Sequence, residues 1–217
     1  MAVTKAFGKY CIAGMTKEGK WIRPVPTPTI YPQDSDRFWC ANQITFDGEM
    51  VQIGDIIKIA GYQPDRFRFP NHTEDFITNT IQKVKHLQIN KLISFLTKNA
   101  ESFQAFQNTI SGQARRSLCI IEINSFNFTN GDNYGETRIN ILFNHQKYDL
   151  RNPYTANGDY KLKDIRWEKL ISTNNIPTTQ INKMFICLGL ATPFNNIEYP
   201  MVIGIIPDYE VPNLVAN

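Results

Sequence analysis

Apolar residues in this chain recur mostly in short runs bounded by polar and glycine-containing turns, which is the pattern of β-strands. Residues 9–14 and 21–25 are two such runs, and the polar segment 16–20 between them contains a glycine. We expect the two runs to form a β-hairpin. Because Pro24 has no amide proton, the second strand should lie at an edge or end there. Residues 54–61, rich in isoleucine and bounded by glycines, predict a further strand.

The middle of the chain changes to a helical period. Apolar residues between 80 and 107 recur at spacings of three and four, and this predicts two or three short helices, with Asn90 as an N-cap. The positions concerned are Ile81, Val84, Leu87, Leu92, Phe95 and Leu96. The Leu and Phe positions at 92–96 are expected to belong to the core.

The second half returns to strands at residues 118–123, 136–143, 184–190 and 199–206, with a short helix beginning at Asp164. The chain therefore has strands, then helices, then strands, without the alternation of strand and helix that builds a parallel sheet. This order favours a mainly β fold of small antiparallel barrels or sandwiches with a helical insert.

Composition limits the function classes. The chain has 217 residues, of which 42% are hydrophobic and 20% charged, so it is long and apolar enough to fold as a globular protein. Its net charge of +3 is far below that of a protein that binds duplex DNA mainly through its field. Glycine-rich phosphate loops and G-x-S-x-G patterns are absent, which argues against an ATPase or an α/β-hydrolase.

The cysteines and the apolar runs indicate the compartment. Four cysteines are scattered without a metal-ligand spacing, and we expect them to be reduced and buried; they are Cys11, Cys40, Cys119 and Cys187. No signal-peptide pattern and no membrane-spanning apolar run is visible. A cytoplasmic location is expected, with no membrane association, metal or cofactor.

Trp21 and Arg23 form the first candidate site. Residues two apart on a strand share one face, so an aromatic plane would lie beside a guanidinium group, with Ile22 in the core. This pair suits a nucleobase and its phosphate, and Lys9 would add a further phosphate contact. The alternative is a structural tryptophan with a stacked arginine, paired to Asp55.

A second candidate is the aromatic and basic loop around Arg66 and Arg68. The two arginines alternate with Phe67 and Phe69, so an extended loop places both arginines on one side. Aromatic and basic residues on one loop can stack bases and contact phosphates of a single strand. The alternative is a solvated loop with both phenylalanines packed against the core.

Two further groups complete the candidates. His72, Glu74 and Asp75 could act as catalytic groups or metal ligands, although an acidic cluster that caps a helix N-terminus is favoured. Tyr148, Arg166 and Trp167 could line the binding face of a second barrel, or could belong to its core.

The opening motif, KYCIAG at residues 9–14 followed by WIRPV at residues 21–25, resembles the dual OB-containing domain family. Its members are prokaryotic proteins of two OB-like barrels, often encoded near mobile-element and phage-conflict genes. Similar stretches lie at residues 54–58, 63–65, 72–75, 148–150, 164–167 and 188–206. The resemblance implies two OB-like β-barrels, expected at residues 1–78 and 114–217, joined by a helical connector at 79–113.

The resemblance also implies binding of single-stranded nucleic acid or a nucleotide-derived ligand. On this interpretation Trp21 and Arg23 stack and clamp the ligand, and Lys9, Arg66 and Arg68 contact phosphates. The protein would serve as a sensor or accessory component of a prokaryotic defence or mobile-element system. Two alternatives remain: an adaptor that docks a protein partner from a neighbouring gene, and a nucleic-acid-processing enzyme that uses His72, Glu74 and Asp75.

Overall fold

The computed structural model describes residues 2–26, 34–123, 125–129, 136–143, 146–147, 159–176 and 182–212. Within these ranges the chain is mainly β, as predicted. The strands are β1 (Ala2–Ala6), β2 (Lys9–Met15), β3 (Trp21–Pro26), β4 (Thr45–Phe46), β5 (Glu49–Met50), β6 (Asp55–Tyr62), β7 (Asp75–His86), β8 (Leu118–Ile123), β9 (Ser125–Thr129), β10 (Arg138–Phe143), β11 (Gln146–Lys147), β12 (Asp159–Leu162), β13 (Met184–Leu190) and β14 (Pro200–Pro207). The α-helices are α1 (Ile89–Asn99), α2 (Phe103–Ile110) and α3 (Ile165–Ser172), and two 3-10 helices span Asp34–Arg37 and Ala41–Gln43.

The first sheet has the strand order β1-β2-β3-β7-β6. The predicted hairpin is confirmed, because β2 and β3 pair antiparallel through Gly14↔Ile22 and Met15↔Trp21. The expectation that this strand lies at an edge or ends at Pro24 is wrong, because β3 continues to Pro26 between β2 and β7. Pro24 is tolerated because the pairing with β2 ends at Ile22, so that side of β3 needs no amide donor there. On its other side β3 pairs parallel with β7, and the Arg23 amide donates to the Glu74 carbonyl.

The helix predicted from residue 80 is wrong up to residue 86, because β7 continues through this stretch and pairs antiparallel with β6. The spacing of Ile81 and Val84 imitates a helix, but Val84 is exposed and the β-branched residues suit a strand. Helix α1 begins at Ile89 with Gln88 as its N-cap, two residues before the predicted one. Leu92 and Leu96 are buried, as expected of core positions. The division of the chain into two units stays a prediction.

The second sheet has the order β11-β10-β12-β14-β13-β8, with β9 on β10. Strand β13 is buried at every position, and β14 at all but Met201, which explains their unbroken apolar runs. Asp164 is the N-cap of α3, as predicted, and accepts from the amides of Arg166 and Trp167. Most described pairs are antiparallel, but β3–β7 and β12–β14 are parallel.

The two sheets share a hydrophobic core. One cluster of buried residues joins Trp21 of β3 and Leu96 of α1 to Leu118, Phe185 and Ile203 of the second sheet. The described pairings close neither sheet into a barrel. Within the described ranges, no helix has the length and apolar character needed to cross a membrane.

Two smaller features complete the fold. Residues 38–46 include a 3-10 helix at Ala41–Gln43 and a two-residue strand at Thr45–Phe46. The four cysteines are free as expected, but only Cys119 and Cys187 are buried, whereas Cys40 is exposed.

Candidate ligand-binding site

A cavity of about 220 Å³ lies where β1 of the first sheet passes β14 of the second. Its walls are mainly apolar. Residues from both sheets line them, including Ala2 and Ala6 of β1, Leu190 of β13, and Met201 and Ile203 of β14. The cavity is therefore a product of the packing between the sheets and not of either sheet alone.

The charged side chains that line this cavity are all cationic: Lys5, Arg23, Arg37 and Lys163. The other polar lining residues, His72 and Thr192 among them, are neutral. None of the described residues that line the cavity is acidic. An apolar cavity with this lining is complementary to a ligand that joins an anionic group to an apolar or aromatic body.

Arg23 is held in place by a buried network. Its Nη1 lies 3.1 Å from Asp75 Oδ1 and 2.7 Å from His72 Nδ1, and its Nη2 donates to Ser117 Oγ. The parallel register of β3 and β7 places Arg23 directly opposite Asp75. The partner suggested from sequence, Asp55, instead contacts Lys83 and His86.

Arg37 reaches the same carboxylate from the 3-10 helix Asp34–Arg37. Its Nη2 donates to Asp75 Oδ2 and lies 3.1 Å from His72 Nδ1. The guanidinium carbon lies 4.9 Å from the centre of the Phe69 ring, in cation–π geometry. Two buried guanidinium groups thus share a single carboxylate, which leaves a net positive charge in this group of three residues.

His72 is neutral in this environment. Both guanidinium groups are donors, so Nδ1 must accept and the proton belongs on Nε2, which lies 3.2 Å from Glu198 Oε1. Burial lowers the pKa of His72 to about 4, an effect that the Glu198 contact partly offsets and the two arginines strengthen. A general base needs a free lone pair, and Nδ1 already uses its own to accept from arginine.

Glu74 joins the two sheets. Its Oε1 accepts from the amides of Ser117 and Leu118 at 2.7 and 2.9 Å, where β8 begins, and its Oε2 accepts from Ser117 Oγ. Burial raises the pKa of Glu74, against the effect of Arg23 and the backbone donors. The expectation that Glu74 and Asp75 cap a helix is wrong, because Asp75 starts a strand and Glu74 satisfies the amides at the start of another.

Two further lysines complete the cationic lining. Lys163, between β12 and α3, is half-buried, and its Nζ lies 4.0 Å from Glu168 Oε1. Burial lowers the pKa of Lys163, and nearby Lys161 lowers it further. Lys5, on β1, is exposed and lies over the Tyr10 ring. An anion in the cavity would stabilise the charged form of Lys163.

Trp21 does not lie beside Arg23 on an exposed face. It is 6% exposed, packs in the core shared by the two sheets, and its Nε1 donates to Glu101 at 3.0 Å. Ile22, expected in the core, is half-buried. The ligand contact of Arg23 stays a prediction, and Arg23 lines the cavity. Trp21 is not among the cavity-lining residues.

The loop predicted to bind phosphates alternates in exposure as it does in residue type. Arg66 and Arg68 are exposed, and Phe67 and Phe69 are partly buried. The Arg68 guanidinium lies 5.5 Å from the Phe69 ring. Since Phe69 also contacts Arg37, the loop adjoins the buried network, although neither exposed arginine lines the cavity. Lys9 is half-buried, and its Nζ lies 3.3 Å from the Ser35 carbonyl.

The candidates Arg166 and Trp167, on α3, belong to the interior. Arg166 forms a buried ion pair with Asp164 and donates to the Ile205 carbonyl. Trp167 is 1% exposed, and its Nε1 donates to the same carbonyl. Tyr148 lies outside the described residues. The expectation that Arg166 and Trp167 line a binding face therefore needs correction, because both side chains are buried and donate to backbone in the interior.

In the part of the chain that the structure describes, no group of three or more histidine, cysteine or acidic side chains is arranged to hold a metal. This bears on His72, Glu74 and Asp75. Asp75 and His72 Nδ1 contact the two arginines, His72 Nε2 faces Glu198, and Glu74 accepts from Ser117 and Leu118.

Sequence reasoning missed several cavity residues, among them Lys5, Arg37, Lys163 and Phe7. Arg37 lies among acidic residues in a segment without clear periodicity, and only the tertiary fold shows its burial. Lys163 likewise gave no local signal. Phe7 did offer one, because a bulky residue precedes glycine at a hairpin turn where asparagine or aspartate is usual.

The comparisons with known proteins agree with the opening motif. A family model described as the dual OB-containing domain matches residues 1–205 of the 217 in the chain. No curated protein and no solved structure matches the chain significantly.

Proposed function

The chain belongs to the dual OB-containing domain family, and from this premise we propose that it binds a nucleotide-derived anion in the cavity between its two sheets. The family description is consistent with nucleic-acid or ligand binding. The observation that carries the finer proposal is the lining, which combines apolar walls with four cationic side chains and no acidic one among the described residues.

The size of the cavity favours a single nucleotide unit. At about 220 Å³ it is smaller than the cavities that enclose drug-sized molecules, which start at roughly 300 Å³. It has room for one planar base or one sugar-phosphate group at a time. The unit could come from a free nucleotide or from the end of a single strand, and these sources share one chemistry.

The cationic residues divide into two roles. Arg23 and Arg37 are oriented by Asp75 and His72, so they offer a rigid, preorganised positive surface. Lys5 and Lys163 are more accessible, and their ammonium groups can move to meet a phosphate. Arg66, Arg68 and Lys9 would contact the remainder of a strand that extends beyond the cavity.

The adaptor and the enzyme alternatives predict different behaviour. A protein-docking surface would show little salt dependence, whereas phosphate contacts weaken steeply with salt. An enzyme acting through His72, Glu74 and Asp75 would turn over a nucleic acid or nucleotide. Service as a sensor or accessory component of a prokaryotic defence system remains part of the proposal and needs a genetic test.

Isothermal titration calorimetry with AMP and with a short single-stranded oligonucleotide, at roughly 50 and 200 mM salt, tests the proposal. Saturable binding that weakens with salt is expected. The double variant K5Q/K163Q should lose about thirtyfold in affinity, since two phosphate contacts of about 1 kcal/mol each are lost at low salt. The matched control K85Q/K91Q removes two exposed lysines away from the cavity and should bind as the unmodified protein does.

Two results would contradict the proposal. Absence of binding of either probe at the lower salt concentration removes nucleotides as ligands. Equal loss of affinity in K5Q/K163Q and K85Q/K91Q would mean that diffuse charge, not the cavity, attracts the probe.

A further inference from the structure

The hairpin between β1 and β2 turns through Phe7 and Gly8, and Phe7 is an unfavourable residue at its position. Phe7 and Gly8 have φ angles of 52° and 72°, and the pair Ala6↔Lys9 closes the turn. Positive φ at both positions is what a type I′ turn requires. Gly8 adopts it without a steric penalty, but a bulky aromatic residue in this conformation is an outlier.

The same chain contains a matched turn with the usual residues. The hairpin between β4 and β5 turns through Asp47 and Gly48, with φ angles of 52° and 81°, and Phe46↔Glu49 closes it. Aspartate is one of the residues this turn type favours at its first position. Neither Asp47 nor Gly48 lines the cavity. The unfavourable choice occurs only at the first of these two turns, the one beside the cavity.

Burial does not account for the choice of phenylalanine. The Phe7 side chain is 67% exposed, so little hydrophobic stabilisation offsets the strain of its backbone. Its ring lines the cavity and lies 5.8 Å from that of Phe38, at an angle of 54°. An exposed, strained aromatic residue at the edge of a cationic cavity is a mark of function.

We propose that Phe7 is the stacking residue of the site, and that it selects ligands carrying an aromatic base. This inference rests on the proposed function and deepens it. The base packs against Phe7 at the edge of the cavity beside Phe38, while the anionic part of the ligand meets Lys5, Lys163 and the two arginines. The turn holds the ring in position before the ligand arrives, so little entropy is lost on binding.

The variant Phe7→Asn separates strain from binding. Asparagine is favoured at this turn position, so the unfolding equilibrium should shift about fivefold or more toward the folded state. The affinity for AMP should fall about tenfold, the loss expected when one base loses its aromatic partner. The affinity for ribose 5-phosphate, which has the phosphate and no base, should not change. Phe7→Trp should retain AMP binding.

The matched control is Asp47→Asn in the second hairpin, which should change neither stability nor affinity appreciably. Calorimetry gives the affinities, and chemical denaturation gives the unfolding equilibrium. If the unmodified protein binds neither AMP nor ribose 5-phosphate, the proposed function fails, and this inference fails with it. If the unmodified protein binds AMP but Phe7→Asn binds it equally well, or loses both probes equally, the stacking role alone is overturned.

Discussion

Arg23 on β3 and Asp75 on β7 stand opposite each other in a parallel strand pair, and their side chains form a buried ion pair of 3.1 Å. Arg37 uses the other oxygen of the same carboxylate. The cationic side of the cavity therefore depends on one acidic residue, and this dependence gives the first prediction.

Asp75→Asn should destabilise the protein by about 3–5 kcal/mol, because two buried guanidinium groups lose their only shared counter-charge among the described contacts. Urea denaturation at neutral pH measures the change. Asp36→Asn is the control, since Asp36 and its partner Lys9 are both more accessible and 3.9 Å apart, and it should cost less than about 1 kcal/mol. Similar losses in the two variants would show that Asp75 does not balance the arginines.

The pKa of His72 predicts a pH dependence of stability. Folding lowers this pKa from 6.5 to about 4 through burial. The folded state therefore disfavours the charged imidazole. The stability contributed by the neutral form of His72 is fully present above pH 6.5 and is lost as the pH falls toward 4. The loss from this group reaches about 3 kcal/mol at pH 4. Glu74 changes the stability in the opposite direction. Its raised pKa favours the protonated carboxyl group in the folded state, so its contribution to stability increases as the pH falls.

Comparison of the unmodified protein with His72→Asn isolates this contribution, since the asparagine oxygen can still accept from the two arginines near the Nδ1 position. The difference in unfolding free energy between the two proteins should change by about 3 kcal/mol between pH 7 and pH 4. His86→Asn, which removes an exposed histidine, is the control. Parallel pH profiles for the unmodified protein and His72→Asn would contradict the buried, neutral imidazole.

Local signals predicted the elements that local chemistry decides. The hairpin of β2 and β3 follows from two apolar runs and a glycine-containing turn, and α3 begins where Asp164 can cap it. Strand β7 was mistaken for a helix because Ile81 and Val84 fit a helical spacing. Its conformation is decided by pairing with β6, which lies about twenty residues earlier in the sequence and is not a local signal.

The candidate site could be predicted only in part, for the same physical reason. Arg23 and His72 were identifiable as residue types, but which carboxylate pairs with Arg23 depends on the register of two parallel strands distant in sequence. The cavity arises where β1 meets β14, at opposite ends of the chain. No pattern within a short window encodes such a contact.

Trp21→Phe tests whether Trp21 contacts the ligand. Its indole is buried and donates to Glu101, so the variant should cost about 1–3 kcal/mol of stability through the lost hydrogen bond and the smaller ring. Its affinity for AMP should stay within about twofold of the unmodified protein. A tenfold loss of AMP affinity without loss of stability would restore the stacking role suggested by the sequence.

Arg37 and Arg166, which are both buried, allow a matched test of whether the cavity binds the ligand. Each forms an ion pair with an aspartate in the interior, and each should lose stability when replaced by lysine, which cannot reproduce the planar fork of donors. Arg37 lines the cavity that we assign to the ligand, and Arg166 does not. Arg37→Lys should therefore weaken AMP binding about tenfold, whereas Arg166→Lys should leave it unchanged at temperatures where both variants are folded. Calorimetry on the two variants, with circular dichroism to confirm folding, gives the comparison. Equal AMP affinities in the two variants would show that the buried network around Arg37 does not contribute to binding, because Arg37 lines the cavity and Arg166 does not.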